Sequence, residues 1–95
     1  MLESKIENDF VDLVQEYPLP AIALKLILFA GVGFPDRTIL CNGKIFFIEF
    51  KQPGKTLDPP QVKWKKLLTR LGFKVYVCTS SKQAFKIFLK EVDSS

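Results

Sequence analysis

The dipeptide Asn42-Gly43, set between the β-rich runs 36–41 and 44–51, constrains this chain more than any other stretch. Both central residues of a two-residue hairpin turn need positive φ, and Asn-Gly supplies it readily. Such a turn fixes the register. Cys41 then faces Lys44, Leu40 faces Ile45 and, counting outward, Asp36 faces Glu49. Directly opposed residues have Cβ atoms about 4.5–5.5 Å apart and point to the same face. Two carboxylates so placed repel each other unless a cation lies between them. Lys51 is two residues beyond Glu49 and projects from the same face. Two acids beside an ammonium are the groups that metal-assisted phosphodiester hydrolysis uses. Oxygen ligands hold a divalent ion. The ion activates water and neutralises phosphate, and the lysine orients the nucleophile or offsets developing charge.

A solitary Asp at a strand start is ordinarily a turn residue, and a Glu at a strand end is ordinarily solvated. Here Ile45-Phe46-Phe47-Ile48-Glu49-Phe50-Lys51 is almost wholly apolar and reads as a strand buried on both faces. Charges in such a strand cost free energy unless paired or ligated. A same-face Glu49–Lys51 ion pair would satisfy those two residues and leave Asp36 without a purpose.

The remaining segments predict the order α-β-β-β-α-β-α, an α/β fold with a four-stranded mixed sheet flanked by helices, in one domain spanning residues 1–95. Residues 3–16 are amphipathic, with Ile6, Phe10, Leu13 and Tyr17 on one stripe. Glu3 and Glu7 border that stripe, so this helix can bring an acid to the sheet. Pro18 and Pro20 end it. Residues 22–29 predict the first strand, with Lys25 its one charge. Asp58 is a good N-cap and Pro59 a good first residue for a helix running to Leu71, with Gly72 just beyond its end. Trp64, Leu67, Leu68 and Leu71 form the expected buried stripe, which makes Trp64 a core residue rather than a stacking platform. Gln61 lies on the Trp64 face in the first turn. Buried there, it needs a partner: a metal-bound water, a phosphate or the backbone. Phe73 to Cys78 predicts the fourth strand, with Val75 and Val77 inward, and Ser80 or Ser81 starts a last helix. A helix between the third and fourth strands makes them parallel. The tail 93–95 is expected to fray.

Composition narrows the chemistry. The chain has no His, which removes His-metal sites and Ser/His or Cys/His nucleophiles. Cys41 and Cys78 have no metal-ligand spacing and read as reduced thiols of a cytoplasmic protein. The N-terminus is acidic, unlike a signal peptide, and the apolar runs are too short to span a membrane. Charge is uneven: residues 1–50 carry four Lys/Arg and seven Asp/Glu, whereas residues 51–95 carry ten and three. The acidic half holds the candidate ligands and the basic half can hold a polyanion, although Lys63, Lys66 and Arg70 also suit a solvated helix face.

Pro35-Asp36, twelve intervening residues and Glu49-Phe50-Lys51 resemble the bipartite signature of the PD-(D/E)XK nucleases. Gly33-Phe34-Pro35-Asp36-Arg37, Phe47 to Lys55, and Gln61 with Leu67, Leu68 and Gly72 resemble more narrowly the virus-type replication-repair nuclease (VRR-NUC) family, whose short standalone members occur largely in phages. The resemblance spans about Glu3 to Val77. It implies metal ligation by Asp36, Glu49 and the backbone carbonyl of Phe50, a catalytic role for Lys51, and supporting roles for a helix Glu and Gln61. Of the two helix acids it favours Glu7, to act directly or through water. It also favours Lys25 as a phosphate contact, alongside Arg37, Lys55, Lys63 and Lys66.

The leading expectation is therefore a Mg²⁺- or Mn²⁺-dependent DNA endonuclease of a phage, working in the host cytoplasm. The resemblance implies branched or four-way junction DNA as substrate and a homodimer able to nick two strands. The alternatives are a non-catalytic DNA-binding module and an accessory structural protein of a phage or mobile element. Metal-dependent cleavage separates the first from the others.

Overall fold

The computed structural model describes residues 2–26 and 31–93. Helix α1 (Glu3–Gln15) leads into strands β1 (Ala21–Leu24), β2 (Arg37–Cys41) and β3 (Lys44–Phe50). Helix α2 (Pro59–Arg70), strand β4 (Val75–Cys78) and helix α3 (Ser81–Asp93) follow. The expected order is thus observed. The sheet runs β1-β2-β3-β4, antiparallel except for the parallel β3–β4 pair across the α2 crossover. β1 is shorter than the expected strand; the part at 27–29 lies outside the described residues, as do the last two residues of the tail.

Alternation along β3 sorts its side chains between two cores. Phe46, Ile48 and Phe50 join Ile6, Phe10 and Val14 of α1 and Ala84, Phe88 and Val92 of α3. Phe47 turns the other way, to Phe34 and Leu68, with Trp64 and Val75 packed alongside. The sheet is therefore covered by α1 and α3 on one face and by α2 on the other, which is why β3 lacks a polar side. Tyr76 and Cys78 of β4 pack on the α1/α3 side and Val75 on the α2 side, so "inward" applies to both sets. On α2, Leu68 is buried but Leu67 and Leu71 are 43% and 63% exposed, contrary to the expected four-residue stripe. One helix lying on a four-stranded sheet seats only its central ridge, Trp64 and Leu68, and its margins overhang.

The start of α2 is fixed against the segment leading to β2. Gly33 has φ +89°, and a Cβ there would lie 2.5 Å from the Pro60 carbonyl carbon. Phe34 meets Trp64 edge-on at 5.0 Å between ring centroids. The approach of the Asp36 segment to the first turn of α2 is thus as close as backbone permits.

Candidate active site

The hairpin turn sets the geometry. Asn42 and Gly43 adopt φ of 52° and 73°, and the pairs run from Cys41↔Lys44 to Arg37↔Ile48. The paired register ends there; one residue further out Asp36 lies beside Glu49, whose side chain shares the α2 face with Phe47. The Phe50 N–H donates to Asp36 Oδ2 at 2.8 Å, which ties the aspartate across to β3. Glu49 and Lys51 are each only 5% exposed.

The first turn of α2 reaches both of them. Gln61 Nε2 donates to Glu49 Oε2 at 2.8 Å, while Gln61 Oε1 accepts the N–H of Asp58, also at 2.8 Å. Its partners are thus a carboxylate and the backbone. Lys51 donates its backbone N–H to the Cys78 carbonyl and directs Nζ toward Asp58 Oδ2 at 3.8 Å. Lys51 and Asp58 line a polar cleft with Glu3, Gly54, Lys55 and Thr56. Glu3 enters it from α1 and accepts the Gln52 N–H at 3.3 Å.

Glu7 is placed otherwise. It is 7% exposed, accepts from Arg37 Nε at 2.6 Å and from Lys25 Nζ at 3.1 Å, and Arg37 also donates to the Ala23 carbonyl. Arg37 faces with its partner Ile48, toward α1, and Glu7 is paired there, with its charge still acting on Asp36. Lys25 and Arg37, expected at phosphate, are engaged by this buried acid. Lys63 and Lys66 are exposed and flank a shallow groove with Leu57, Pro59 and Val62 at the start of α2.

Burial and mutual repulsion dominate the electrostatics. Desolvation, then the charge of Asp36, pushes the Glu49 carboxyl up to about 8, against the weaker pull of Lys51. Desolvation likewise raises Asp36; the Phe50 N–H opposes it, and the charges of Glu7 and Glu3 add to it. Both carboxyls are thus held where their ionised forms need a counter-charge. Among the described residues no three Asp, Glu or Cys side chains converge as a metal cage. Mg²⁺ ordinarily takes only one or two protein carboxylates and completes its shell with water and phosphate oxygens. Buried Glu49 and half-buried Asp36, both oxygen-only donors, fit such an ion.

A pH dependence follows from Glu49. In the unfolded chain its carboxyl ionises near 4.5, and in the folded protein near 8. Between those values the folded state binds more protons, so stability falls as pH rises. In chelator, thermal melts from pH 5 to 8 are expected to decline, by at most about 1.4 kcal/mol per pH unit from this group. Glu49→Gln removes the decline. An unchanged slope in that variant would show the carboxyl to be solvated.

Two features escaped sequence reasoning. Asp58 reads as a helix cap, and its role beside Lys51 becomes visible only when the loop 52–57 folds back. Glu3 and Glu7 share one margin of the helix, and the sequence does not reveal the cations that Arg37 and Lys25 bring to Glu7.

The VRR-NUC domain profile matches residues 2–82. A protein of Acyrthosiphon pisum secondary endosymbiont phage 1, named "Putative nuclease p44", is 38% identical over 79 residues, covering 82% of this chain and 83% of its own. A solved structure described as a VRR_NUC domain superposes with a TM-score of 0.77 at 25% identity, over 90% of this chain and 92% of that one. These matches span the hairpin, the cleft and the first turn of α2, and they support a nuclease. The chain belongs to the VRR-NUC domain family.

Proposed function

We propose that this protein is a divalent-metal-dependent DNA endonuclease of the PD-(D/E)XK type. The observation that carries the reading is Asp36, tied across to β3 by the Phe50 N–H, beside buried Glu49 and the buried Lys51 just past the strand, which lines a polar cleft. A structural role has little use for a buried carboxylate set beside a second, half-buried one. Asp36, Glu49 and the Phe50 carbonyl would hold Mg²⁺ or Mn²⁺, which when bound supplies Lewis acidity and charge neutralisation at phosphate. Lys51, almost buried beside Glu49, orients the attacking water or offsets charge developing on the phosphate oxygens. Gln61 fixes the orientation of Glu49 through its amide. Glu3, which shares the cleft with Lys51, is favoured as the helix acid acting through water. Glu7 instead holds Arg37 and Lys25 in place. Lys55, Lys63 and Lys66 are the cations available to DNA phosphates.

The family resemblance supports branched or four-way junction DNA, a homodimer and a phage setting in the host cytoplasm. The test is cleavage of a four-way junction, a flap and a linear duplex with Mg²⁺, Mn²⁺ or chelator. Metal-dependent strand scission is expected, greatest on the junction. DNA affinity in Ca²⁺ is expected to fall steeply with salt, because several Lys contacts release counterions. Glu3→Gln is expected to slow cleavage with the fold intact, and Glu7→Gln to lower stability first, because it leaves Arg37 and Lys25 short of a charged partner. Binding to DNA without scission under any metal would establish the binding-module alternative.

A further inference from the structure

The N-cap of α2 has an unusual composition. Its first two helical residues are Pro59 and Pro60, neither of which has an N–H. An N-cap side chain ordinarily accepts from the amide two or three residues on. Here the first of those donors is missing, and only Gln61 can offer one. The Asp58 carboxylate is therefore only partly occupied by its own helix, and Oδ2 faces Lys51 Nζ at 3.8 Å. The two prolines also stiffen the backbone that carries it, and Pro60 is wedged against Gly33. The Lys51 side chain is 7% exposed and that of Asp58 73%, so the ammonium is enclosed while its counter-ion reaches it from the open side of the cleft. A pair with so exposed a partner contributes little to stability. What it can supply is orientation. A lysine ammonium on a four-carbon stem has no fixed direction of its own, and no other carboxylate lies within ion-pair distance of Lys51 Nζ among the described residues.

We propose that Asp58 is the positioning residue for Lys51: its carboxylate, presented by the Pro-Pro start of α2, holds the Lys51 ammonium at the cleft where the scissile phosphate enters. The same helical turn orients Glu49 through Gln61, so one rigid element sets both the carboxylate and the ammonium of the site. The kinetic half of this inference rests on the nuclease reading. The contact itself does not.

The test uses Asp58→Asn, which keeps an N-cap acceptor and removes the charge, in the full-length protein. In ¹⁵N-labelled, metal-free wild type, Lys51 is expected to give a slowly exchanging Nζ ammonium signal, assigned by its absence in Lys51→Arg. That signal disappears in Asp58→Asn. Single-turnover cleavage with Mg²⁺ is expected to drop about tenfold, within the range that misplacing a reacting group produces. DNA affinity in Ca²⁺ stays within about twofold of wild type, since removing an acid cannot weaken phosphate binding by charge. Asp58→Glu, which restores the charge at an exposed position, recovers most of the rate. An ammonium signal that is absent in wild type, or unchanged in Asp58→Asn, overturns the proposal. So does cleavage by Asp58→Asn at the wild-type rate. If the wild type cleaves no DNA with any metal, the nuclease reading falls and the ammonium signal alone decides the contact.

Discussion

Asp36→Asn and Glu49→Gln are each expected to lower metal-dependent cleavage on the order of a thousandfold, the scale on which removing one preorganised electrostatic group acts, while the fold persists. The amides are close in shape to the acids. The introduced asparagine can still accept the Phe50 N–H, and the introduced glutamine can still accept from Gln61, so the hydrogen bonds now made at Asp36 Oδ2 and Glu49 Oε2 survive. What is lost is one of the two charges proposed to hold the ion. The stability change should have the opposite sign to that of an ordinary buried-polar mutation. At pH 8 in chelator both variants should melt at or above the wild-type temperature, because each removes a repulsion between desolvated carboxyls. Adding Mg²⁺ should raise the melting temperature of wild type and leave the variants nearly unmoved. Cleavage retained within tenfold in either variant would remove that residue from the ion's shell.

Gly33→Ala is expected to be the most damaging single-methyl addition in the molecule. Two costs combine there. At φ +89° an L side chain is strained, at about 1–3 kcal/mol. The new Cβ would also meet Pro60 carbonyl C, carbonyl O and Cβ at 2.5, 2.6 and 2.7 Å, two of them backbone atoms in a helix that cannot yield locally. A total of roughly 2–4 kcal/mol is expected from urea unfolding. Gly31 is the internal control. Its φ is +88°, but no atom of the described residues lies within 4 Å of a Cβ there, so Gly31→Ala is expected to bear mainly the dihedral cost. Equal losses at the two sites would show that the contact with Pro60 is not tight. Gly33→Ala should also depress cleavage below what its residual folded population predicts, because displacing the first turn of α2 displaces Gln61 and Asp58 with it.

The sheet was legible because its signals are local. Asn42-Gly43 fixes one register, the unbroken apolar run 45–48 announces two covered faces, and Asp58-Pro59 with Gly72 brackets α2. Contacts that depend on which helix face meets which strand edge were not legible. Leu67 and Leu71 obey the helical period and still overhang, since the period states which residues share a face and not how wide a surface awaits them. The two acids of α1 differ by one helical turn. Only the arrival of Arg37 and Lys25, 30 and 18 residues later, separates the neutralised Glu7 from Glu3 in the cleft. The Lys51–Asp58 contact depends on the path of a loop that carries no periodic signal.

The hairpin turn acts as a measuring device for chemistry performed at the other end of two strands. β2 is five residues long, about 17 Å of extended chain, and along it each pair merely repeats the register dictated by Asn42 and Gly43. A slip of one residue would turn Glu49 and Lys51 to the α1 face and bring Ile48 or Phe50 opposite Asp36. A single residue inserted at Asn42-Gly43 would leave every side chain of the cleft present and part Asp36 from Glu49. The turn, remote from the cleft and exposed to solvent, thus sets the spacing of two carboxylates that it never touches.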